Sequence, residues 1–189
     1  IRAFAMGKDL LVKGNKMLEK IFRIICNLSS PVFYKEIYRK QLYYMYEHCI
    51  PLKEMTKGLN LDIHPTATFR YGKNITMKDG VVIESNCCVW ASENSKIIIG
   101  ENTSIGQNTI IISSNHKFIG KESYKDQPMD EKDVNIAKDV WIGANSVILA
   151  GVTIEEGAII GAGSIIAHDV PEFSIALSRN RDIEYIERV

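Results

Sequence analysis

Two patterns of hydrophobic and polar residues divide the chain near residue 58. Before that point, apolar residues such as Leu18, Ile21 and Ile25 recur at three- and four-residue spacing, which is typical of an amphipathic helix. A break follows at Ser30, and Pro31 favours the first turn of a second helix. The pattern therefore predicts a helical N-terminal region over residues 1–58.

From Ile63 onward, apolar residues follow a six-residue period. Steps of six give a first series that is apolar except at Glu93: Ile63, Phe69, Ile75, Val81, Cys87, Glu93, Ile99, Ile105 and Ile111. After a gap, a second series consists only of isoleucine: Ile136, Ile142, Ile148, Ile154, Ile160 and Ile166. Such a period fits neither a helix nor an alternating strand, and it is the signature of a parallel β-helix built from hexapeptide repeats.

The hexapeptide pattern predicts a mainly β domain over residues 59–176, followed by a C-terminal tail over 177–189. Three hexads would close one triangular coil, and the aliphatic residue of each hexad would point into the prism. Coils of this kind stack about 4.8 Å apart through backbone hydrogen bonds. The number of hexads predicts about five coils.

One interruption of the repeat predicts an extruded loop. The separation between Ile111 and Ile136 is not a multiple of six, and the intervening sequence is polar and charged. We therefore expect a loop over residues 117–135, with Asn115 at the small-residue corner of the preceding hexad and His116 as the last residue of that hexad. Long loops that leave a regular scaffold usually carry function or an interface.

Composition and charge exclude several classes of protein. Hydrophobic residues make up 46% of the 189 residues, and the 23 basic residues balance 23 acidic ones, so no overall field favours nucleic acid. Apolar runs are far shorter than a membrane-spanning helix requires. The basic N-terminal helices leave peripheral membrane contact as a secondary alternative. The four cysteines show no disulfide or metal-ligand spacing, which favours a cytoplasmic protein with free thiols.

The second half of the chain, DVWIGANSVILAGVTIEEGAIIGAGSIIAHDV, resembles the hexapeptide-repeat acyltransferases, and most closely their galactoside, maltose and xenobiotic acetyltransferase branch. The resemblance covers about residues 60–176, with the repeat, His116, the loop and Trp141 in the family's order. It implies a left-handed β-helix and acetyl-CoA as acyl donor without a metal. It also implies a homotrimer with active sites at its subunit interfaces.

The resemblance also implies roles for individual residues. His116 falls on the catalytic base, and Asn86 and Asn94 fall on positions that contact the acceptor. Positions that line the CoA groove in the family correspond to Trp141, Ala144, Ala162, Ala167 and His168. This chain lacks the Gly-Asn-Pro-Ala stretch with which the family commonly ends. In its place, Arg179 and Arg181 are candidates for holding the CoA phosphates.

These residues support acyl transfer by general base catalysis. A histidine near neutral pH can accept the proton of an acceptor hydroxyl, so we expect direct transfer in a ternary complex without a covalent acyl-enzyme. Cys87 and Cys88 are expected in the interior and wall of the prism, which disfavours a nucleophilic role. His48 and His64 are expected to be surface or packing residues.

Several functions remain as alternatives at this point. Within the acyltransferases, O-acetylation of a sugar or surface-polysaccharide unit is preferred over N-acetylation of an amino sugar or nucleotide-linked amino sugar, and a serine O-acetyltransferase is a weaker candidate. Outside them, a γ-class carbonic anhydrase would need three metal-binding histidines. A non-catalytic β-helix would leave His116 and the loop unexplained.

Overall fold

A computed structural model of the chain describes residues 16–28 and 30–178. The chain divides into two compact units, which meet in sequence between Tyr44 and Met45. Among the described residues, no helix has the length and apolar character needed to cross a membrane.

The first unit contains two described helices. Helix α1 spans Lys16–Leu28 and helix α2 spans Pro31–Tyr44, so the helical spacing in the sequence and the start at Pro31 are both confirmed. The turn between them is short, because the Ser30 N–H donates to the Asn27 carbonyl at 3.0 Å. No residue of either described helix is buried.

The second unit begins with helical residues that cover the first coil of the β-helix. A π-helix spans Met45–Cys49 and helix α3 spans Ile50–Glu54. His48 is buried, with Nδ1 lying 2.7 Å from the Ala67 carbonyl oxygen and its ring against Phe69. Residues 45–58 therefore belong to the β-helix unit, and its boundary differs from the sequence expectation of 58/59. Covering helices of this kind shield the apolar end of a solenoid.

Three sheets of parallel strands form the faces of the β-helix. Sheet A contains β1 (Thr56–Lys57), β4 (Ile75–Met77), β7 (Ile97–Ile99), β12 (Val134–Ile136) and β15 (Thr153–Ile154). Sheet B contains β2 (Asp62–Ile63), β5 (Val82–Ile83), β8 (Ser104–Ile105), β13 (Trp141–Ile142), β16 (Ile159–Ile160) and β18 (Ile175–Ala176). Sheet C contains β3 (Thr68–Arg70), β6 (Cys88–Trp90), β9 (Ile110–Ile112), β14 (Val147–Ile148) and β17 (Ile165–Ile166).

Successive strands visit sheets A, B and C in turn, so each coil contributes one strand to each face. The result is a left-handed parallel β-helix of about five turns, as predicted. Aliphatic side chains stack inside along each sheet; in sheet C, for example, Ile111 pairs with Val89 below and Ile148 above. All three side chains are fully buried. This repeated burial fixes the coils in register.

The predicted six-residue register is confirmed at Ile63 and Phe69 and again from Ile99 onward, but it is wrong at the positions between them. There the main inward column runs through Met77, Ile83 and Val89. The sequence predicted Ile75, Val81 and Cys87 instead, which are also buried but lie two residues earlier. In these coils, the residue two positions before each inward residue is also apolar and buried. A series of six-residue steps therefore passes from the main column to the second one and still meets apolar residues.

Glu93 shows where the true register is restored. It is exposed in the long connection between β6 and β7, outside any strand. This connection is longer than the other corners of the first coils. Its extra residues compensate for the earlier shift, so that Ile99 lies in the main inward column. The single polar residue in the predicted series therefore marks an insertion.

The excursion from the β-helix is an antiparallel ribbon that begins earlier than predicted. Strand β10 (Ser114–His116) pairs with β11 (Met129–Glu131), and the chain returns at the buried Val134. We call residues 114–133 the arm. Ser113, not Asn115, fills the last small inward position, with its hydroxyl 2.7 Å from that of Ser95. His116 thus lies on the arm and not at the last corner of the prism.

Candidate active site

His116 lies on the first strand of the arm, a short distance from the β-helix. It pairs with Met129 across the ribbon, and the next backbone N–H, that of Lys117, donates to the Pro128 carbonyl at 3.1 Å. The His116 N–H donates to the side-chain oxygen of Asn115 at 2.9 Å. Backbone pairing therefore orients the residue, while its side chain remains exposed.

The imidazole of His116 is held against one aromatic ring. Tyr124, which begins a 3-10 helix at Tyr124–Asp126, meets it edge to face with ring centroids 5.3 Å apart. Such contacts favour a defined ring orientation. The exposed imidazole can reach a substrate while Tyr124 limits its rotation, which is the arrangement a general base requires.

A single side chain closes the end of the arm. The Gln127 side-chain amide donates to the Ile119 carbonyl at 3.0 Å, while its oxygen accepts from the Ile119 N–H at 2.7 Å. It also donates to the Glu122 carbonyl at 3.4 Å. These bonds fold residues 119–127 back on themselves and thereby carry Tyr124 to His116.

Glu131 ties the base of the arm to the β-helix. Its carboxylate accepts from the Ser92 hydroxyl at 2.6 Å and from the Asn94 N–H at 3.0 Å. The hydrogen bonds from Ser92 and then from Asn94 hold the pKa of Glu131 below its ordinary value. Asn94, predicted to contact the acceptor, is therefore placed beside the arm, on the edge between sheets C and A from which the arm leaves.

Asn86 lies on a different edge of the prism, between sheets B and C. It adopts φ 59°, and residues with similar left-handed angles stack above it at Asn108, Asn145 and Gly163. Asparagine tolerates this conformation better than most side chains. The turn geometry explains why asparagine stands at this position, and the exposed side chain faces outward beside the predicted CoA groove.

Ala144 and Ala162 form a groove of small residues on this same edge. The two lie in successive coils, linked by a 2.8 Å hydrogen bond from the Gly163 N–H to the Ala144 carbonyl. A Cβ at Gly106 would approach the Ala144 nitrogen to 2.7 Å, and one at Gly143 would approach the Ala162 nitrogen to 2.6 Å. No larger side chain fits between the coils, so the edge exposes backbone to a ligand.

Trp141 flanks this groove on the outer face of sheet B. Its side chain is 58% exposed, although it stands between Ser104 and Ile159 in the sheet. A narrow groove of backbone atoms beside a large aromatic surface suits an extended chain of amides and methylenes. The pantetheine part of CoA has that chemistry, so the residues present fit this substrate.

The other residues predicted to bind CoA are not on that groove. Ala167 and His168 follow β17 and are exposed on the edge between sheets C and A, two coils beyond the exit of the arm. A separation of two coils corresponds to about 10 Å along the prism axis. Arg179 and Arg181 lie outside the described residues.

The predicted site residues therefore fall into two groups on opposite sides of one subunit. His116, Asn94, Ala167 and His168 follow the edge between sheets C and A. Asn86, Ala144, Ala162 and Trp141 follow sheet B and its edge with sheet C. In a triangular prism, sheet B is the face opposite the edge between C and A. A single subunit does not bring the two groups together.

The environments of the remaining candidate side chains favour structural roles over catalytic ones. Cys87 is buried, and burial raises the pKa of its thiol, which disfavours the nucleophilic thiolate. The His64 side chain bonds to the Thr66 hydroxyl at 2.9 Å. Within residues 16–28 and 30–178, no three His, Cys, Asp or Glu side chains are grouped to hold a metal ion.

Sequence reasoning missed three residues that organise the arm: Tyr124, Gln127 and Glu131. The contacts of Glu131 span 37 and 39 positions, and no local pattern separates it from the other charged residues of the excursion. Tyr124 offered a weak signal as the one tyrosine in a polar segment. Its contact with His116 could be found only from the fold of the arm.

Known proteins share both the repeat and the fold of this chain. Residues 133–168 match the family described as bacterial transferase hexapeptide (six repeats). The galactoside O-acetyltransferase of Escherichia coli (strain K12) is 31% identical over 153 residues, which cover 75% of this chain and 74% of the relative. A galactoside acetyltransferase in complex with coenzyme A superposes with a TM-score of 0.64 at 28% identity, covering 77% of this chain and 76% of that one.

A further structure supports the fold alone. It is a hexapeptide-repeat acetyltransferase of Vibrio cholerae complexed with acetyl coenzyme A, with a TM-score of 0.64 at 23% identity over 79% of this chain and 86% of that one. The β-helix, the arm that interrupts it and the similarity to the Escherichia coli enzyme lead to one assignment. The chain belongs to the hexapeptide-repeat acetyltransferases, in the branch that contains the galactoside O-acetyltransferases.

Proposed function

We propose that the protein transfers an acetyl group from acetyl-CoA to a hydroxyl of a sugar or surface-polysaccharide unit, with His116 as general base. The observation that carries this proposal is the exposed imidazole of His116, oriented by Tyr124 on an arm beside the β-helix. The galactoside acetyltransferases named above favour a saccharide acceptor.

The proposed reaction is a direct transfer. The acceptor hydroxyl oxygen attacks the carbonyl carbon of the thioester, so a C–O bond forms and the C–S bond breaks. The hydroxyl proton passes to the imidazole of His116 and then to the sulfur of the departing CoA. A positioned general base contributes about a hundred- to ten-thousand-fold to such a step. The buried thiol of Cys87 has no part in it.

We further propose that the active site forms between subunits of a homotrimer. The arm and Asn94 of one subunit would meet the Trp141 groove and Asn86 of the next, because these groups lie on opposite sides of one chain. The outer surface of sheet C supports an assembly, since it is apolar along its length at Cys88, Trp90, Ile110, Ile112, Val147, Leu149 and Ile165. Large exposed apolar surfaces commonly mark interfaces.

Compartment and CoA binding complete the proposal. Within the described part of the chain, Cys26, Cys49, Cys87 and Cys88 form no disulfide, which suits the reducing cytoplasm. We propose that Ala144 and Ala162 contact the pantetheine chain beside Trp141. Ala167 and His168 would contact CoA from the edge between sheets C and A, and Arg179 and Arg181 would hold its phosphates.

A thiol-release assay with acetyl-CoA tests the general base. The acceptor panel contains galactosides, other sugars, amino sugars and serine, and the variants are His116→Ala and the control His64→Ala. We expect His116→Ala to lower kcat by about a hundredfold or more, while His64→Ala retains activity. Full activity of His116→Ala would contradict the proposal. Preference for an amino sugar or for serine would assign a different acceptor to the same enzyme class.

Mixing two defective variants tests the interfacial site. His116→Ala and Trp141→Ala subunits, each of low activity at low acetyl-CoA, are unfolded together and refolded. If each site takes His116 from one subunit and Trp141 from its neighbour, about a quarter of the sites in random trimers are complete. Activity should then exceed that of either variant alone. Activity that stays at the mean of the two variants would place both residues in one subunit.

A further inference from the structure

We propose that the first unit, through helices α1 and α2, docks on the surface of an anionic lipid bilayer. This inference does not depend on the proposed function, because it rests only on the two helices. Their side chains combine an exposed apolar face, exposed tyrosines and an excess of positive charge.

The apolar residues of α1 form one continuous exposed face. At about 100° per residue, they fall within an arc of about 120° on the helix. Their exposed fractions range from 41% to 60%, and the residues are Leu18, Ile21, Ile24, Ile25 and Leu28. Lys16, Lys20 and Arg23 lie on the other side of the helix. An amphipathic helix of this kind can bury its apolar face in the boundary between headgroups and acyl chains.

Helix α2 adds aromatic residues suited to the same boundary. Tyr34, Tyr38 and Leu42 follow one another at four-residue spacing along one face, and all three are exposed. Tyrosine is enriched at membrane–water interfaces because its ring is apolar and its hydroxyl remains hydrated. The spacing places these side chains in one row along the helix.

The charge of the helices complements an anionic surface. Both acidic residues are already paired within their helices, Glu19 with Arg23 and Glu36 with Arg39, each at 2.9 Å. The remaining positive charges belong to Lys16, Lys20, Lys35 and Lys40. The whole chain has balanced charge, so the positive excess of the helices is offset by acidic residues elsewhere in the sequence. Each lysine near an anionic membrane contributes about 1 kcal/mol.

Flotation of the full chain with lipid vesicles tests the apolar face. Vesicles contain either phosphatidylcholine alone or a mixture of phosphatidylcholine and phosphatidylglycerol. We expect the wild type to float with the mixed vesicles and much less with neutral ones. The double variant Ile24→Ser/Ile25→Ser should lower partition at least tenfold. The control Leu59→Ser changes an exposed apolar residue in the β-helix unit and should not alter partition.

Charge variants test the same surface without altering its apolar face. Lys16→Gln/Lys20→Gln should lower partition about fivefold per lysine at low salt and remove most of its salt dependence. Lys73→Gln/Lys78→Gln, in the β-helix unit, is the matched control. The helical signal in circular dichroism and the unfolding temperature check each variant's fold.

Three results would overturn the proposal. The first is failure of the wild type to bind mixed vesicles, and the second is equal binding to neutral and mixed vesicles. The third is unchanged flotation of both helix variants. If Ile24→Ser/Ile25→Ser instead changes the mass measured by light scattering without lipid, and flotation is unaffected, the face is an interface between copies of this chain.

Discussion

The β-helix and the arm are adjacent in sequence but are held by different interactions. In the β-helix, side chains such as Ile111 and Ile148 are fully buried and stack from coil to coil. In the arm, Phe118 and Ile119 are 67% and 70% exposed, and the fold depends on hydrogen bonds of Gln127 and Glu131. Burial of apolar side chains thus stabilises the β-helix, and polar contacts stabilise the arm. We therefore expect the arm to unfold locally without unfolding of the β-helix.

This difference has a consequence for the proposed catalysis. His116 takes its position from the weakly buried arm and not from the rigid β-helix. Local structure with few buried apolar contacts opens at a lower free energy than the global core. Substitutions in the arm should therefore change activity without changing the unfolding transition, and substitutions in the core should do both.

The largest effect on stability is expected for Ile111→Ala. Its side chain is fully buried between neighbouring coils, and truncation of a buried isoleucine costs about 2–5 kcal/mol. Leu59→Ala is the control in the same unit, because Leu59 is 71% exposed. Chemical denaturation measures both variants. Equal destabilisation by the two variants would contradict the placement of Ile111 in the buried inward column.

A smaller effect is expected at the corners of the prism. Asn102 adopts φ 54°, and its N–H donates to the Asp79 carbonyl of the coil below at 2.9 Å. Asn102→Ala should cost about 1–2 kcal/mol, because alanine is disfavoured in the left-handed region. Asn102→Gly should stay close to the wild type. Thermal unfolding compares the two, and a less stable glycine variant would show that the side chain itself matters.

The β-helix could be predicted from the sequence because the same buried apolar position recurs in hexad after hexad. From Ile99 onward each hexad carries its own buried isoleucine, and all of these positions are confirmed. Between Ile75 and Cys87 the same reasoning failed, because residues two positions apart, such as Val81 and Ile83, are both apolar and both buried. Hydrophobicity alone cannot choose between two inward columns. Only backbone pairing, such as that of Ile83 with Ile105, distinguishes them.

The candidate site was less predictable than the fold. The position of His116 before the excursion, together with the family resemblance, identified the residue but not its location on the ribbon. The arm has no repeat, and the contacts that shape it join residues far apart in sequence, such as Ser92 and Glu131. Such contacts leave no periodic signal, so Tyr124 and Gln127 became visible only in the structure.

Gln127→Ala should lower activity with almost no loss of global stability. Three side-chain hydrogen bonds of Gln127 close the end of the arm, and each is worth about 1 kcal/mol to the local fold. Since that fold brings Tyr124 to His116, we expect kcat to fall about tenfold, while the unfolding midpoint matches that of the control Gln41→Ala. A parallel loss of stability would show that the arm and β-helix unfold together.

The smallest effect concerns the base of the arm, and in the wild type it appears only as the pH becomes acidic. The pKa of Glu131 is lowered by its bonds from Ser92 and Asn94, so the ionised carboxylate favours the docked arm. This contribution is complete above the ordinary value of 4.5 and is lost as the pH falls through the lowered value. Hydrogen exchange of arm amides, corrected for intrinsic rates, should show protection decreasing over that range.

Glu131→Gln separates this contribution from general acid unfolding. The amide keeps an acceptor oxygen but has no charge to titrate, so arm protection should be lower than in the wild type at pH 7 and should change little with acidification. Glu172→Gln, an exposed carboxylate at a distant corner, is the control and should behave as the wild type. If wild type and Glu131→Gln lose protection over the same pH range, another group holds the arm to the β-helix.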